Sequence, residues 1–370
     1  MIRILQCVNN MHRAGLETLL MNYYRNIDRT KIQFDFLMHR QERSDYDDEI
    51  ESLGGRIFRA PRLYPQNYPA YFAFMKTFFR EHPEYRIVHS HIDSMSYLPL
   101  LAAKKAGVPV RIAHSHSTAI DLDLKYPLKQ YFRYKLNSVA THRVACGENA
   151  GHFLFRNHDF TLIPNAIDAA KFSFSPEIRV EKRKELDLGD AFAVGHAGRF
   201  TYAKNHTFLL KIFQEILNTE PNAVLLLAGT GEKEQEIRNL AEKMNIAQQV
   251  KFLGSRGDMH ELYQAMDVFV MPSLFEGIPV VGVEAQCASL PCVFSDQVPK
   301  GTEITDLCRF VSLKTEPSQW AGLVLQWAKG KTRAESTVLA EYDIRNARHR
   351  LEDFYTQLDG QVGKVTETVV

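Results

Sequence analysis

The chain has 370 residues, 45% of them hydrophobic and 24% charged, with a formal net charge of +1. That length exceeds one ordinary core and predicts about two domains, while the near-neutral charge gives no global pull toward nucleic acid. No apolar run approaches the roughly 18 residues of a membrane span, and five scattered cysteines without a C-x-x-C pair read as buried free thiols of a reducing cytosol.

From the N-terminus, Ile2 to Val8 reads as a first strand; the single positive charge ahead of its mixed run suits a strand better than a signal peptide. Strands are then expected at Phe34 to Met38, Arg56 to Arg59, Ile87 to His89, Val110 to Ala113, Arg143 to Cys146 and Thr161 to Pro164. Helices fall between them, from about Leu16, Asp45, Pro69, Ser94 and Pro127. Strand alternating with helix at this spacing predicts a parallel sheet covered on both faces, a doubly wound domain over 1–170. A polar stretch from Asp168 to about Arg179 reads as an interdomain linker. The scheme then repeats over 171–342, with strands at Phe192 to Ala197, Ala223 to Leu227, Val250 to Leu253, Val268 to Met271, Cys292 to Phe294 and Phe310 to Ser312. Its helices are expected from Asn205, Glu232, Asp258, Pro279 and Pro317. A last amphipathic helix is predicted over 343–358, and 359–370 reads as a polar tail.

The stretch Pro272 to Gln286, P-S-L-F-E-G-I-P-V-V-G-V-E-A-Q, follows a strand and opens a helix. It sets Glu276 in the loop and Glu284 about a turn and a half into the helix, where both could face one ligand. Ligands of open parallel sheets bind at the strands' carboxyl ends, and a helix N-terminus offers N–H groups to phosphate. Carboxylates there suit a ligand that also carries hydroxyls, hence sugar plus phosphate. Gly195 to Asn205, G-H-A-G-R-F-T-Y-A-K-N, likewise leaves a strand and enters a helix. Arg199 at the strand end and Lys204 at the helix start could stabilise a departing diphosphate without a metal. Near the N-terminus Arg13-Ala14-Gly15-Leu16-Glu17 opens a helix, and Gly15 could let backbone N–H groups approach a phosphate.

Histidines end two strands, at His89-Ser90-His91 and in R-I-A-H-S-H-S-T, which holds His114 and His116. Such i, i+2 pairs suit metal ligation or structural hydrogen bonding, and no carboxylate or cysteine cluster accompanies them to favour a metal. Asp121-Leu122-Asp123 is a D-x-D pair in a polar loop and reads as helix-flanking surface. Lys125 to Leu136 interleaves four cations with rings and aliphatic residues. It fits either a core-facing helix with solvated cations or a helix lying on a bilayer. Residues 1–168 hold 22 Lys and Arg against 17 Asp and Glu, so this half is mildly basic, which would suit an anionic acceptor or membrane surface.

The run from Glu276 to Glu284 resembles the E-x7-E signature of the family 4 retaining glycosyltransferases. The resemblance implies the GT-B fold, an α/β architecture of two doubly wound Rossmann-like domains facing across a cleft, with the last helix packing back on the first domain. It implies that Glu276, with Gly277 and Ile278 in the same loop, contacts the donor sugar, and that Glu284 contacts the ribose. Gly198 to Lys204 resembles the family's G-R-x(4)-K element, whose Arg and Lys, here Arg199 and Lys204, hold the donor pyrophosphate. The glycine-bearing strand ends at Gly229 and Gly254, with Arg256, are implied around the base and diphosphate. The Gly15 loop resembles Gly-Gly-x-Glu with Ala14 replacing the first glycine, which leaves its approach to the ligand open. His116, or alternatively His114, aligns with the histidine near the reacting carbon, and His91 and His114 fall on the acceptor side.

H-S-H, R-I-A-H-S-H-S and F-E-G-I-P together look like the branch found in bacterial capsule and exopolysaccharide assembly. The implied activity is a metal-independent, retaining hexosyltransferase with no cofactor beyond its nucleotide-diphosphate sugar, expected to be a UDP-sugar. It would move a hexose or N-acetylhexosamine to a glycan or polyprenyl-diphosphate-linked acceptor. The expected location is the cytoplasm, with peripheral contact to the inner membrane surface and no nucleic-acid partner. The rivals are a sugar-nucleotide epimerase of the same two-domain plan and a non-catalytic sugar-nucleotide sensor.

Overall fold

The computed structural model describes residues 1–120, 125–331, 333 and 340–367; the D-x-D residues Asp121 and Asp123 lie outside them. The chain divides into two compact units, one of Met1–Ala166 with Ile344–Val370 and one of Ile167–Asp343.

The first unit is built on seven parallel strands, β1 (Ile2–Val8), β2 (Ile32–Met38), β3 (Ile57–Arg59), β4 (Ile87–Ser90), β5 (Val110–Ser115), β6 (His142–Ala145) and β7 (Thr161–Leu162). Their order is β3-β2-β1-β4-β5-β6-β7, so the winding reverses between β1 and β4. Side chains alternate across the pleat. Leu5, Cys7, Val88 and Ala113 face a core of aromatic side chains from the helices Tyr68–Glu81 and Tyr126–Leu136 and of aliphatic ones from Tyr97–Lys105. Ile4 and Gln6, one residue out of phase, lie on the opposite face, where Phe34 of β2, the register partner of Ile4, meets Tyr355 of the last helix edge-on.

That last helix, Ile344–Glu367, presents Ile344, Ala347, Leu351, Tyr355 and Leu358 at three- and four-residue spacing, all buried. It runs well beyond the 343–358 expected, through most of what reads as a polar tail. A helix already nucleated extends at little cost, and no proline interrupts this one.

The second unit has six parallel strands, β8 (Ala193–Ala197), β9 (Val224–Ala228), β10 (Val250–Gly254), β11 (Val268–Met271), β12 (Cys292–Ser295) and β13 (Cys308–Val311), ordered β10-β9-β8-β11-β12-β13. Here the winding reverses between β8 and β11. The stretch expected to be a linker instead forms two helices of this unit, Ala169–Phe172 and Pro176–Glu185, their first turns capped by Asp168 and Ser175. Its charges are paired rather than solvated. Arg179 donates to Asp267 at 2.6 Å, and Lys182, its side chain only 7% exposed, sits among Asp258, Glu185 and Glu261 at 2.6–2.9 Å. Most of these partners are far away in sequence, so composition alone reads the segment as a tether.

All five cysteines are buried free thiols. Among the described residues, no helix is long and apolar enough to cross a membrane.

Candidate active site

In the second unit the two motif loops leave adjacent strands on either side of the winding reversal. β8 ends at Ala197 and leads through Gly198 and Arg199 to a short 3-10 turn, Tyr202–Lys204, then to the helix His206–Leu217. β11 ends at Met271 and leads through Glu276 to the helix Val280–Cys287. Backbone contacts lock the loops together: Leu274 N–H donates to the Ala203 carbonyl at 2.8 Å, and the Asn205 side-chain amide donates to the Pro272 carbonyl at 3.1 Å. Asn205 itself is left-handed, with φ 54°, a conformation its short polar side chain tolerates.

The result is a direct ion pair, Lys204 Nζ donating to Glu276 Oε1 at 2.5 Å. Both side chains are largely covered. Gly198 makes room for it, since a Cβ there would stand 3.0 Å from Lys204 Cε. Arg199 is exposed. Gly229, at the end of β9, has φ +137°, and a Cβ on it would lie 2.1 Å from the Gly198 carbonyl oxygen. Two strand ends thus pack backbone against backbone, which only glycine permits.

Glu284 points into the unit, 5% exposed, and accepts a hydrogen bond from the Tyr263 hydroxyl at 3.0 Å. Burial raises its pKa to about 7, against the opposing pull of that hydrogen bond. Gly277 is partly covered and Ile278 buried, closing the loop that carries Glu276. Arg256 has a different setting. Its guanidinium grips Asp258 with two bonds, 2.8 and 2.6 Å, and reaches Glu185 at 3.4 Å. It therefore braces the strand end against the helix Pro176–Glu185, within the charge cluster around Lys182.

In the first unit, Gly15 starts the helix Gly15–Asn26 beyond an extended Ala14, and a Cβ on it would meet no atom within 4 Å. Its loop is braced from the next crossover, with Met11 N–H donating to Ser44 Oγ and Arg13 N–H to Asp45. Ala14 itself has φ −143° and ψ 174°, extended backbone that any residue adopts, so it stands in place of a glycine without strain.

The histidines of β4 and β5 meet at the carboxyl end of the same sheet. His89 Nε2 and His114 Nδ1 are 3.1 Å apart, and His91 Nδ1 and His116 Nε2 are 3.0 Å apart. The His114 and His116 rings stack at 4.0 Å. Two further residues complete the cluster, Gln6 of β1 and Tyr355 of the last helix. Burial holds His89, His91 and His114 well below the usual imidazole pKa and pushes His116 down to about 3, so all four are neutral. Ring nitrogens of His89, His91 and His114 lie within 4.8 Å of one another, close enough to share an ion in principle, yet hydrogen bonds already engage all of them except His114 Nε2. Gln6 and Tyr355 are absent from the sequence reading. The only local signal is a polar residue within an apolar strand and an aromatic one on a helix's buried stripe.

The Glycosyltransferase Family 4 model matches residues 13–171, and the Glycosyl transferases group 1 model residues 178–338. The chain belongs to the family 4 glycosyltransferases. It is 38% identical over 336 residues to EpsF of Bacillus subtilis (strain 168), assigned as a glycosyltransferase, covering 88% of each chain. It is 30% identical over 227 residues, 58% of each chain, to the UDP-Gal:alpha-D-GlcNAc-diphosphoundecaprenol alpha-1,3-galactosyltransferase of Escherichia coli. Among solved structures, Anabaena HepE in complex with UDP-glucose has the same fold, with a TM-score of 0.76 over 100% of both chains at 17% identity. That fold is GT-B.

Proposed function

We propose that this glycosyltransferase is retaining and metal-independent, and moves a hexose or N-acetylhexosamine from a UDP-sugar to a polyprenyl-diphosphate-linked glycan in surface polysaccharide synthesis. The observation that carries the reading is the Lys204–Glu276 pair, held where the winding of the second sheet reverses, with exposed Arg199 in the same loop as Lys204 and buried Glu284 on the helix that follows Glu276. Arg199, Lys204 and the first turn of the helix His206–Leu217 offer positive potential to a diphosphate, and their charge offsets the negative charge that builds up as it leaves. Once the diphosphate takes Lys204, Glu276 can turn its carboxylate to the sugar hydroxyls, and Glu284 accepts from the ribose. The family resemblance gives His116 the role beside the reacting carbon. In the family's same-face mechanism the acceptor hydroxyl attacks on the side from which the diphosphate departs, so no protein nucleophile is required. The galactosyltransferase relative, whose name carries a UDP donor and a diphosphoundecaprenol acceptor, supports this choice of both substrates.

Membrane contact fits the helix Tyr126–Leu136. Phe132 and Leu136 are buried, while Tyr131 and Tyr134 are 52% and 62% exposed, with Lys135 near both rings and Arg156 near Tyr134. Rings at the headgroups and cations toward anionic lipid would bring the enzyme to its acceptor. Changing both tyrosines to serine is expected to lower co-sedimentation with phosphatidylglycerol vesicles about tenfold; unchanged binding removes this part of the reading.

The activity is tested by UDP, GDP, ADP or TDP release from the corresponding sugar nucleotides, in EDTA, with and without bacterial lipid extract. Release that needs the extract, survives EDTA and falls at least about a hundredfold in Glu276→Ala supports the reading. Turnover of donor without acceptor points instead to an epimerase, and binding without turnover to a sensor.

A further inference from the structure

We propose that Gln6 and Tyr355 are positioning residues that orient the ring protons of four histidines in one direction, so that His116 offers a bare Nδ1 acceptor and His114 an Nε2–H donor. The inference deepens the proposed reaction and rests on it only for its kinetic consequence.

The direction follows from the orientation of the Gln6 amide, its oxygen toward His91 and its nitrogen toward Tyr355. The Gln6 carbonyl oxygen can only accept, so the 2.8 Å contact from His91 Nε2 places the proton on that nitrogen. His91 Nδ1 is then a lone pair, and the 3.0 Å contact requires His116 to carry its proton on Nε2. On the other side the Gln6 amide donates to the Tyr355 hydroxyl at 3.2 Å. Tyr355 is buried, and His89 Nδ1, at 2.7 Å, is its remaining partner among the described residues, so the hydroxyl donates there. His89 must then hold its proton on Nε2 and give it to His114 Nδ1 at 3.1 Å. That leaves His114 Nε2–H, buried and without a partner among the described residues. One chain thus runs His116, His91, Gln6, Tyr355, His89, His114, and every neutral ring in it is the Nε2–H tautomer. Reversing any link reverses all of them, since each donor is the next group's acceptor. The amide in the middle cannot hand on a proton, so the chain orients rather than conducts.

The geometry accounts for what the histidines would otherwise leave unsettled. A neutral imidazole at a reacting sugar can accept from a hydroxyl or donate to one, and which it does depends on a proton fixed two or three groups away. It also argues against a resident metal, because three bound imidazoles would need lone pairs that the chain already uses, with no anion in the set to offset the ion's charge.

Long-range 1H–15N correlation spectra of the whole protein read the tautomers directly. The expected result is Nε2–H for His89, His91, His114 and His116. Nδ1–H at all four, or unrelated mixtures, overturns the proposal, as does stoichiometric zinc in the purified protein. Gln6→Glu gives a sharper test. A carboxylate accepts from both His91 and Tyr355, so the tyrosine proton is withdrawn from His89. His89 and His114 should switch to Nδ1–H while His91 and His116 stay as they were; no switch sinks the idea. Tyr355→Phe is the second variant, should the buried carboxylate prevent folding. It should leave UDP affinity and donor KM within about twofold and lower kcat about tenfold, the loss of one oriented hydrogen bond; an unchanged kcat overturns the positioning role. The spectra decide the proton order even if no sugar is transferred, so failure of the proposed activity and failure of the chain are separate outcomes.

Discussion

Glu284 holds its proton at pH values where an exposed carboxyl has lost it, because burial penalises the anion more than the Tyr263 hydroxyl relieves it. The folded pKa of about 7 lies above the unfolded value of 4.5, so between those limits the native state binds more protons than the unfolded chain. Stability of the ligand-free protein therefore falls as pH rises through that window and levels off above it. The loss attributable to Glu284 is on the order of 3 kcal/mol. Urea midpoints at pH 5 and pH 8 check this: Glu284→Gln, which keeps an acceptor for Tyr263, should show a correspondingly smaller decrease than wild type, and parallel decreases would refute it. A ligand whose hydroxyls donate to the carboxylate favours the anion, so such a ligand should bind Glu284 with release of a proton near neutral pH.

At the scale of elements, two glycines that look alike in sequence have different physical roles. Gly229 has φ +137° and its missing Cβ would overlap the Gly198 carbonyl, so Gly229→Ala must push the ends of β8 and β9 apart. A loss of about 3 kcal/mol is expected, seen as a lower denaturation midpoint with an unchanged slope. Gly15→Ala meets no atom within 4 Å and no left-handed backbone, so stability should change by less than about 0.5 kcal/mol. Its effect should appear instead as a raised donor KM, if the helix N-terminus approaches the ligand's phosphate. A destabilised Gly15→Ala or a neutral Gly229→Ala would reverse these assignments.

Considered whole, the chain returns to its first unit in order to finish it. Removing residues after Asp343 deletes the helix whose Leu351, Tyr355 and Leu358 are buried, Tyr355 against Phe34, Gln6 and His89. Each large side chain contributes roughly 1.5–3 kcal/mol by burial, so the three together rival the 5–15 kcal/mol stability of a typical domain. Limited proteolysis of the truncated protein should digest residues 1–166 and spare 167–343. Equal resistance of both would show that the helix is only an appendage.

Residue pattern alone was enough for the alternation of strand and helix, the two doubly wound units and the motif loops, because pleat period, helix period and glycine-bearing turns are local properties. Val268–Met271 followed by F-E-G-I-P was readable as strand, loop and helix, and the place of Glu276 and Glu284 came with it. The folded chain supplies what sequence separation conceals. It paired Lys204 with Glu276, 72 positions apart, and committed Arg256 to Asp258 and Glu185. It turned an apparent linker into two capped helices by giving Lys182 and Arg179 their carboxylates. It also brought Tyr355 within 2.7 Å of His89 across 266 residues, so a hydroxyl near the end of the chain sets the proton on a histidine of the fourth strand. Hydrogen bonds act over about 3 Å of space whatever the distance along the chain, so residue pattern supplies the candidates and the fold selects the partners.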